Sequence, residues 1–120
     1  MYRHTNGTGR LFGGVLLQMI DTVGAICARR HAGCDVTTAA IEHLSFKAPA
    51  NLNETLVLTA TLIAVGRTSM KVCVKSFVES LDGARNEINR AIVTFVALDA
   101  LQQPTLVPRL SDPKDNGKKM

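Results

Sequence analysis

One carboxylate interrupts an apolar helical pattern near the start of the chain, and it is the first residue whose type could do chemistry. The stretch 6–21 reads NGTGRLFGGVLLQMID, in which a glycine-containing loop leads into an apolar run ending at Asp21. A carboxylate is seldom buried without a partner or a catalytic task. Asp21 is therefore either a functional group within the apolar face or a residue on the solvated side of a helix, and this stretch leaves both interpretations open. The apolar residues around it recur at the three- and four-residue spacing of a buried helix face: Leu16, Met19, Ile20, Val23 and Cys27.

The size and charge of the chain restrict the kind of partner that the carboxylate could serve. With 120 residues, of which 46% are hydrophobic, the chain is long enough for one globular domain. Its net charge of +4 favours an anionic partner, either a nucleic acid or a polyphosphate cofactor. The basic residues are scattered and aromatic residues make up only 4% of the chain, which argues against nucleic-acid binding.

The cysteines and the chain start predict a cytoplasmic protein. Cys27, Cys34 and Cys73 are odd in number and form no C-x-x-C, so a disulfide framework is not expected. The polar residues after Met1 do not resemble a signal peptide, and no apolar stretch approaches the ~20 residues of a membrane span. No His, Cys, Asp or Glu residues have metal-ligand spacing, so neither a metal nor a membrane partner is predicted.

Hydrophobic periodicity predicts one long helix followed by four strands. The helix is expected from about residue 13 to residue 30, with Gly33 as its stop and Gly24, Ala25 and Ala28 as small residues that allow close approach to a sheet. Period-two patterns predict the strands, the third with the clearest alternation and the last apolar on both faces and therefore central or at an interface. The predicted strands are residues 35–46, 54–65, 69–79 and 87–98.

This order of elements predicts an α+β fold in which a curved antiparallel sheet with short turns wraps around the helix. One sheet around one helix leaves an edge strand open, and a dimer with a continuous sheet is the natural solution. We expect one domain over residues 1–110. The proline-containing tail from Leu101 is predicted to be extended and to stay out of the core, and residues 111–120 are predicted to be disordered.

Several motifs in the chain match a known family. His4 to Asp21 reads HTNGTGRLFGGVLLQMID, and ARRHAG, FKAP, VGRTSMK, TFVALD and Val107-Pro108 follow in order. Together they resemble the hotdog-fold acyl-CoA thioester hydrolases, in particular small cytosolic bacterial acyl-CoA thioesterases and the animal long-chain acyl-CoA hydrolases. The resemblance covers residues 4–110. The family usually has a strand before the HTN segment, so that strand is either very short here or precedes the sequence given.

The resemblance implies hydrolysis of an acyl-CoA thioester, with coenzyme A as part of the substrate and no separate cofactor. Thioester hydrolysis needs a base or nucleophile, and Asp21 is the only acidic residue before Arg30. Backbone N–H groups at Gly13 and Gly14, at the helix start, could stabilise the oxyanion. The resemblance implies that Asn6 orients the water or helps to bind the carbonyl. It also implies that a hairpin binds the phosphates of coenzyme A: Gly66, Arg67, Thr68 and Ser69.

Helix geometry predicts that the active site is shared between two subunits. Gly14 and Asp21 are seven residues apart, which at 1.5 Å per residue is roughly 10 Å along one helix. Both cannot lie about 3 Å from one carbonyl, so they are expected to come from different protomers. The resemblance likewise implies that Asn6 faces Asp21 of the partner, and that dimers assemble further into a trimer of dimers, a hexamer.

Simpler interpretations of the same residues remain. Asn6 could belong to an ordinary turn, Gly13 and Gly14 could serve close packing, and residues 67–69 could be a solvated hairpin. On the same fold, a second class of function is a non-catalytic acyl-CoA sensor or assembly protein. A hydratase or dehydratase would typically need a histidine beside the acid, and His4 is the only candidate.

Overall fold

The computed structural model describes residues 13–47 and 54–110. Within them, the helix and all four strands predicted from periodicity are present. The helix extends two residues past its predicted end, and its last turn carries the basic residues Arg29, Arg30 and His31. The elements are α1 Gly13–Ala32, β1 Asp35–Phe46, β2 Thr55–Val65, β3 Ser69–Glu79 and β4 Arg85–Leu98.

The described strands form one antiparallel sheet in the order β1-β4-β3-β2. The central position of β4 confirms what its two apolar faces predicted. Short turns join β2 to β3 and β3 to β4, but the prediction of a short turn between β1 and β2 is wrong. These two strands form opposite edges of the described sheet and are three strand spacings apart. Pro49 and residues 51–53, whose composition predicts a turn, lie outside the described residues.

Helix α1 packs against the sheet through residues spaced four apart, all of which are buried: Leu16, Ile20, Gly24 and Ala28. Gly24 is the closest approach, since a Cβ atom there would lie 3.1 Å from two carbon atoms of the Phe95 ring. The predicted role of the small residues is therefore confirmed at Gly24 and Ala28. Met19, Val23 and Cys27, expected on the same face, are only partly buried on the flanks.

The helix-facing side of the sheet supplies the rest of the core. Met70, Val72, Val74 and Val78 of β3 are buried, as their alternation predicted. Their neighbours on β4 are also apolar and fully buried. The register pairs are Met70 with Phe95, Val72 with Val93, and Val74 with Ala91.

Strand β2 departs from its predicted pattern near its end. A register shift lies between Leu62 and Ala64, so that Ala64 pairs with the exposed Lys71 and Val65 pairs with the buried Met70. Val65 therefore packs against the core, whereas a strict alternation through Leu58, Ala60 and Leu62 predicts Ala64 there. A bulge adds one residue and inverts the alternation after it, which a strict period of two does not anticipate.

Strand β1 alternates only weakly because its pairing with β4 shifts twice, between Thr38 and Ala40 and between Glu42 and Ser45. The buried Asn89 supports the second shift, since its Nδ2 donates a hydrogen bond of 3.0 Å to the backbone carbonyl of Ser45. This bond gives the Ser45 carbonyl a partner where the regular ladder is interrupted.

The segment after β4 contributes to the core, contrary to the sequence-based prediction. We call residues 104–110 the C-terminal strap. Its Val107 is 8% exposed and packs with the core residues. The Thr105 N–H donates to the Ala97 carbonyl at 2.9 Å, and the Val107 N–H donates to the Arg67 carbonyl at 2.8 Å. Proline does not prevent the strap from packing, because alternate residues supply both the N–H donors and the apolar side chain. Residues 111–120 lie outside the described part of the chain.

Candidate active site

Asp21 lies on the flank of α1 that faces β1, where it meets a hydroxyl group. Thr38 Oγ1 donates a hydrogen bond of 2.6 Å to Asp21 Oδ1. Thr38 pairs with the buried Phe95 and so shares the helix-facing side of the sheet. A hydrogen bond to a carboxylate is stronger than one between neutral groups, so it fixes the orientation of Asp21. Asp21 itself is half-buried, so it lies neither within the buried apolar face of the helix nor on its fully solvated side.

The Asp21–Thr38 pair opens toward an unpaired strand edge. Within the described sheet, β1 has a neighbour on one side only. Thr38 is exposed, and Ile41 and Leu44 of the same strand are each 39% exposed. Apolar side chains along a free edge are typical of a strand that pairs with another chain. The carboxylate is therefore placed where a second protomer could reach it.

Sequence reasoning missed Thr38, because a threonine in a weakly alternating strand is ordinary. The rise per residue of a helix and a strand could have indicated Thr38. The chain reverses at Gly33, which has a positive φ of 71°. From there β1 rises more than 3 Å per residue whereas the helix rises 1.5 Å, so only a few strand residues are needed to return alongside Asp21.

The helix start lies away from Asp21 in the same protomer. Helix α1 begins at Gly13, has no acidic residue in its first turn, and leaves Gly14 exposed. The backbone N–H groups there have no partner within the helix. Because Gly14 and Asp21 belong to one continuous helix, their separation along the axis is about 10 Å. Asn6, the remaining predicted catalytic residue, lies outside the described residues, as does His4.

The predicted phosphate-binding residues form a tight hairpin between β2 and β3. The Gly66 N–H donates to the Ser69 carbonyl at 2.8 Å, and a Cβ atom on Gly66 would lie 2.8 Å from Ser69 Oγ. The Ala97 N–H donates to the Thr68 carbonyl at 2.9 Å. Gly66 and Arg67 are exposed, while Thr68 and Ser69 are partly exposed. The structure thus brings these four residues together, at the end of the sheet where the C-terminal strap lies.

The described arginines of the last helical turn, the hairpin and the strap are distinct from the cations that form ion pairs. Lys47 and Arg90 both contact Glu87 at 3.0 Å, and their hydrogen bonds lower the pKa of Glu87 to about 2. Lys47 is therefore held by a carboxylate, as expected for an ordinary surface lysine. The salt bridges found among the described residues do not include the arginines of the last helical turn, the hairpin or the strap: Arg29, Arg30, Arg67 and Arg109.

The other flank of α1 carries a groove of about 450 Å³. Its helix side is formed by Val23, Ile26, Cys27, Arg30 and His31, and its sheet side by Ala60 and Leu62 of β2. Partial burial raises the pKa of the Cys27 thiol and so disfavours the thiolate that a nucleophile would need. Within residues 13–47 and 54–110, no cluster of three His, Cys, Asp or Glu side chains could hold a metal ion. The same ranges contain no helix that is long and apolar enough to cross a membrane.

A long helix wrapped by an antiparallel sheet is the architecture of the hotdog-fold thioesterases. The model of the thioesterase superfamily matches residues 8–82, and the chain belongs to this family. The resemblance read from the motifs is thereby confirmed.

Two curated relatives show how much of the chain is shared. An uncharacterized acyl-CoA thioester hydrolase of Zymomonas mobilis, ZMO0511, is 38% identical over 117 residues, which cover 93% of this chain and 76% of the relative. The uncharacterized acyl-CoA thioester hydrolase YkhA of Bacillus subtilis is 36% identical over 107 residues, covering 88% of this chain and 62% of the relative. The chain therefore spans between three fifths and four fifths of the length of these two proteins.

Solved structures match the fold closely. An acyl-CoA hydrolase from Staphylococcus aureus, in complex with butyryl coenzyme A and coenzyme A, is 31% identical with a TM-score of 0.84. The match covers 94% of this chain and 71% of that one. The hexameric broad-specificity acyl-coenzyme A thioesterase HI0827 has the same TM-score at 29% identity, covering 94% of this chain and 84% of that one.

Proposed function

We propose that the protein hydrolyses acyl-CoA thioesters to a free carboxylic acid and coenzyme A, in the cytoplasm. The observation that carries the proposal is the hydrogen bond from Thr38 Oγ1 to Asp21 Oδ1. It orients a carboxylate on a helix flank beside an open strand edge, where a thioester could enter. The names of the curated relatives, which are acyl-CoA thioester hydrolases, support this substrate class.

The paired carboxylate suits water activation. Thr38 holds one oxygen of Asp21, so the other, Oδ2, is the one that can accept a proton from water. The resulting hydroxide attacks the thioester carbon, the negative charge moves to the carbonyl oxygen, and the C–S bond breaks as the carbonyl re-forms. The proton held by Asp21 then passes to the departing thiolate. Direct attack by Oδ2 would instead form an anhydride, and hydrolysis in ¹⁸O-labelled water distinguishes the two routes.

A relative supports the participation of Thr38. The Staphylococcus aureus acyl-CoA hydrolase was also solved as an Asp→Ala variant and as a Thr→Ala variant. The two replaced positions in that protein are 17 residues apart, which is also the separation between Asp21 and Thr38. We therefore assign Thr38 to the same site as Asp21, in addition to the residues read from the sequence.

The oxyanion donors of the proposed site come from a second protomer. Gly13 and Gly14 are too far along α1 to serve the carbonyl that their own Asp21 attacks. Pairing of two β1 edges would continue the sheet and bring the helix start of one chain, with its Asn6, to Asp21 of the other. Hexameric thioesterases among the structural neighbours support self-association, and we propose a trimer of such dimers.

The hairpin of Gly66, Arg67, Thr68 and Ser69 is proposed to bind the phosphate groups of coenzyme A. Arg67 is exposed and takes part in none of the salt bridges among the described residues, so its charge is free to meet an anion. The hydroxyls of Thr68 and Ser69 are partly exposed beside it and can donate hydrogen bonds to phosphate oxygens.

The proposal is tested by measuring free-thiol release from a series of acyl-CoA esters of increasing chain length. We expect turnover that saturates with substrate, with the preferred chain length showing the highest kcat/KM. Calorimetric binding of the same esters is the parallel measurement. Binding without thiol release at any chain length would contradict hydrolysis and would favour the acyl-CoA sensor.

A further inference from the structure

We propose that His31 is a positioning residue that fixes the coenzyme A hairpin through the C-terminal strap. This inference deepens the proposed function and rests on the assignment of the hairpin to coenzyme A. His31 lies in the last turn of α1, 10 residues after Asp21, and is partly buried. As a basic residue in the last helical turn it resembles Arg29 and Arg30, and nothing in the sequence alone distinguishes it from them.

A short hydrogen bond joins His31 to the strap. The distance between His31 Nε2 and the Pro108 carbonyl oxygen is 2.6 Å. Because a carbonyl oxygen only accepts hydrogen bonds, His31 Nε2 must carry the hydrogen. The strap reaches this point without regular strand pairing beyond the bridge between Leu98 and Pro104, so the contact is one of few that hold its far end.

The residue before Pro108 holds the hairpin. The Val107 N–H donates to the Arg67 carbonyl at 2.8 Å, while the Val107 side chain is buried in the core. Two successive strap residues therefore connect different elements, Val107 to the hairpin and Pro108 to the helix. The backbone of Arg67 is thereby tied to the helix that carries Asp21.

This arrangement lets His31 affect substrate binding without taking part in the chemical step. Along α1, His31 is about 15 Å from Asp21, too far to exchange a proton with the thioester. Losing its bond to Pro108 would release the strap and with it the Arg67 backbone, so the guanidinium would sample more orientations. Weaker contact with phosphate raises KM, whereas the orientation of Asp21 and therefore kcat are unaffected.

The test compares His31→Ala with His31→Gln, whose amide can still donate to the Pro108 carbonyl. Arg29→Ala is the matched control, because it removes a neighbouring exposed cation without removing a strap contact. For His31→Ala we expect KM for acyl-CoA to rise about tenfold with kcat within about twofold of the wild type, and we expect His31→Gln and Arg29→Ala to stay near wild type. The corresponding acyl-pantetheine ester, which lacks the nucleotide phosphates, should show the same KM in all four proteins.

A purely structural role for His31 would change the kinetic constants in a different way. An equal rise in KM for the acyl-CoA and acyl-pantetheine esters, a fall in kcat alone, or an unchanged KM for acyl-CoA would each overturn the inference. Calorimetric binding of coenzyme A itself keeps the test independent of hydrolysis, since the Kd of His31→Ala should also rise about tenfold even in a protein that binds without turnover. Should His31→Ala not fold, a His31→Gln variant with a raised Kd for coenzyme A would contradict the inference, and one with wild-type Kd would support it.

Discussion

Replacing Asp21 by asparagine is expected to lower kcat by about 1,000-fold, within the range that a positioned general base contributes. Asparagine keeps the size of the side chain and an oxygen that can accept the Thr38 hydrogen bond, but it cannot take a proton from water. The measurement is free-thiol release from the preferred acyl-CoA ester, with binding of coenzyme A followed in parallel. Binding should stay within a few-fold of the wild type, because Asp21 does not contact the proposed hairpin.

Thr38→Val is the matched variant for this prediction. Valine has nearly the same shape as threonine and suits a strand, but it leaves Asp21 Oδ1 without its donor. We expect a fall in kcat of about tenfold, since the base remains and only its orientation is loosened. Asp21→Asn with wild-type kcat would remove Asp21 from the chemistry, and Thr38→Val with a larger loss than Asp21→Asn would assign the main role to the hydroxyl.

Replacing Gly24 by valine is expected to lower the free energy of unfolding by about 2–3 kcal/mol through overpacking. A Cβ atom at this position would lie 3.1 Å from two ring carbons of the fully buried Phe95 and 3.4 Å from Val74 Cγ2. Valine adds two further methyl groups to a position where the Cβ atom alone is already in tight contact. Because Phe95 lies opposite Thr38 in the β1–β4 register, displacement of the ring would also disturb the strand that carries Thr38.

Urea denaturation at equal protomer concentration measures this cost, since association would otherwise change the apparent stability. Thr22→Val is the control: it places the same side chain on the exposed face of the same helix, where only the bond of Thr22 Oγ1 to the Gln18 carbonyl is lost. Adding Phe95→Leu to Gly24→Val should recover part of the loss. Equal midpoints for Gly24→Val and Thr22→Val would show that the helix is not held against Phe95 as described.

The local pattern of apolar and polar residues predicted most of the secondary structure. The alternation of β3 gave both of its bounds, and the apolar faces of β4 gave its end and its central position, because each strand's pattern is set by burial on its own two faces. Strand β4 begins at Arg85, two residues before its predicted start, where the residues are exposed and polar. The small residues at Gly24 and Ala28 likewise indicated the close helix–sheet contact. Strand order was not available in the same way. Segment 47–54 has turn-forming composition, but composition does not say whether the chain returns to a neighbouring strand or crosses to the far edge.

The residues of the candidate site likewise differ in whether local sequence could identify them. Asp21 stood out because its charge conflicts with its apolar neighbours, whereas Thr38 conflicts with nothing in β1 and is identified only by a distance. For the tail, local sequence gave a wrong prediction. Its prolines suggested a segment outside the core, but Val107 is buried and the backbone around it bonds to the sheet and hairpin. Contacts between segments far apart in the chain are a property of the fold, and no local composition reports them.

Mixing two inactive variants tests the shared active site most directly. Asn6→Ala and Asp21→Asn proteins, carrying different affinity tags, are exchanged by mild denaturation and refolding, and the mixed dimers are proven by tandem purification. A mixed dimer has one site with both residues intact, so a random equimolar mixture should recover about a quarter of wild-type activity. The control pair is Asp21→Asn with Thr38→Val, whose residues belong to the same protomer, and it should recover no wild-type site. Exchange without recovery in the first pair, or equal recovery in both pairs, would contradict a site completed by the second protomer.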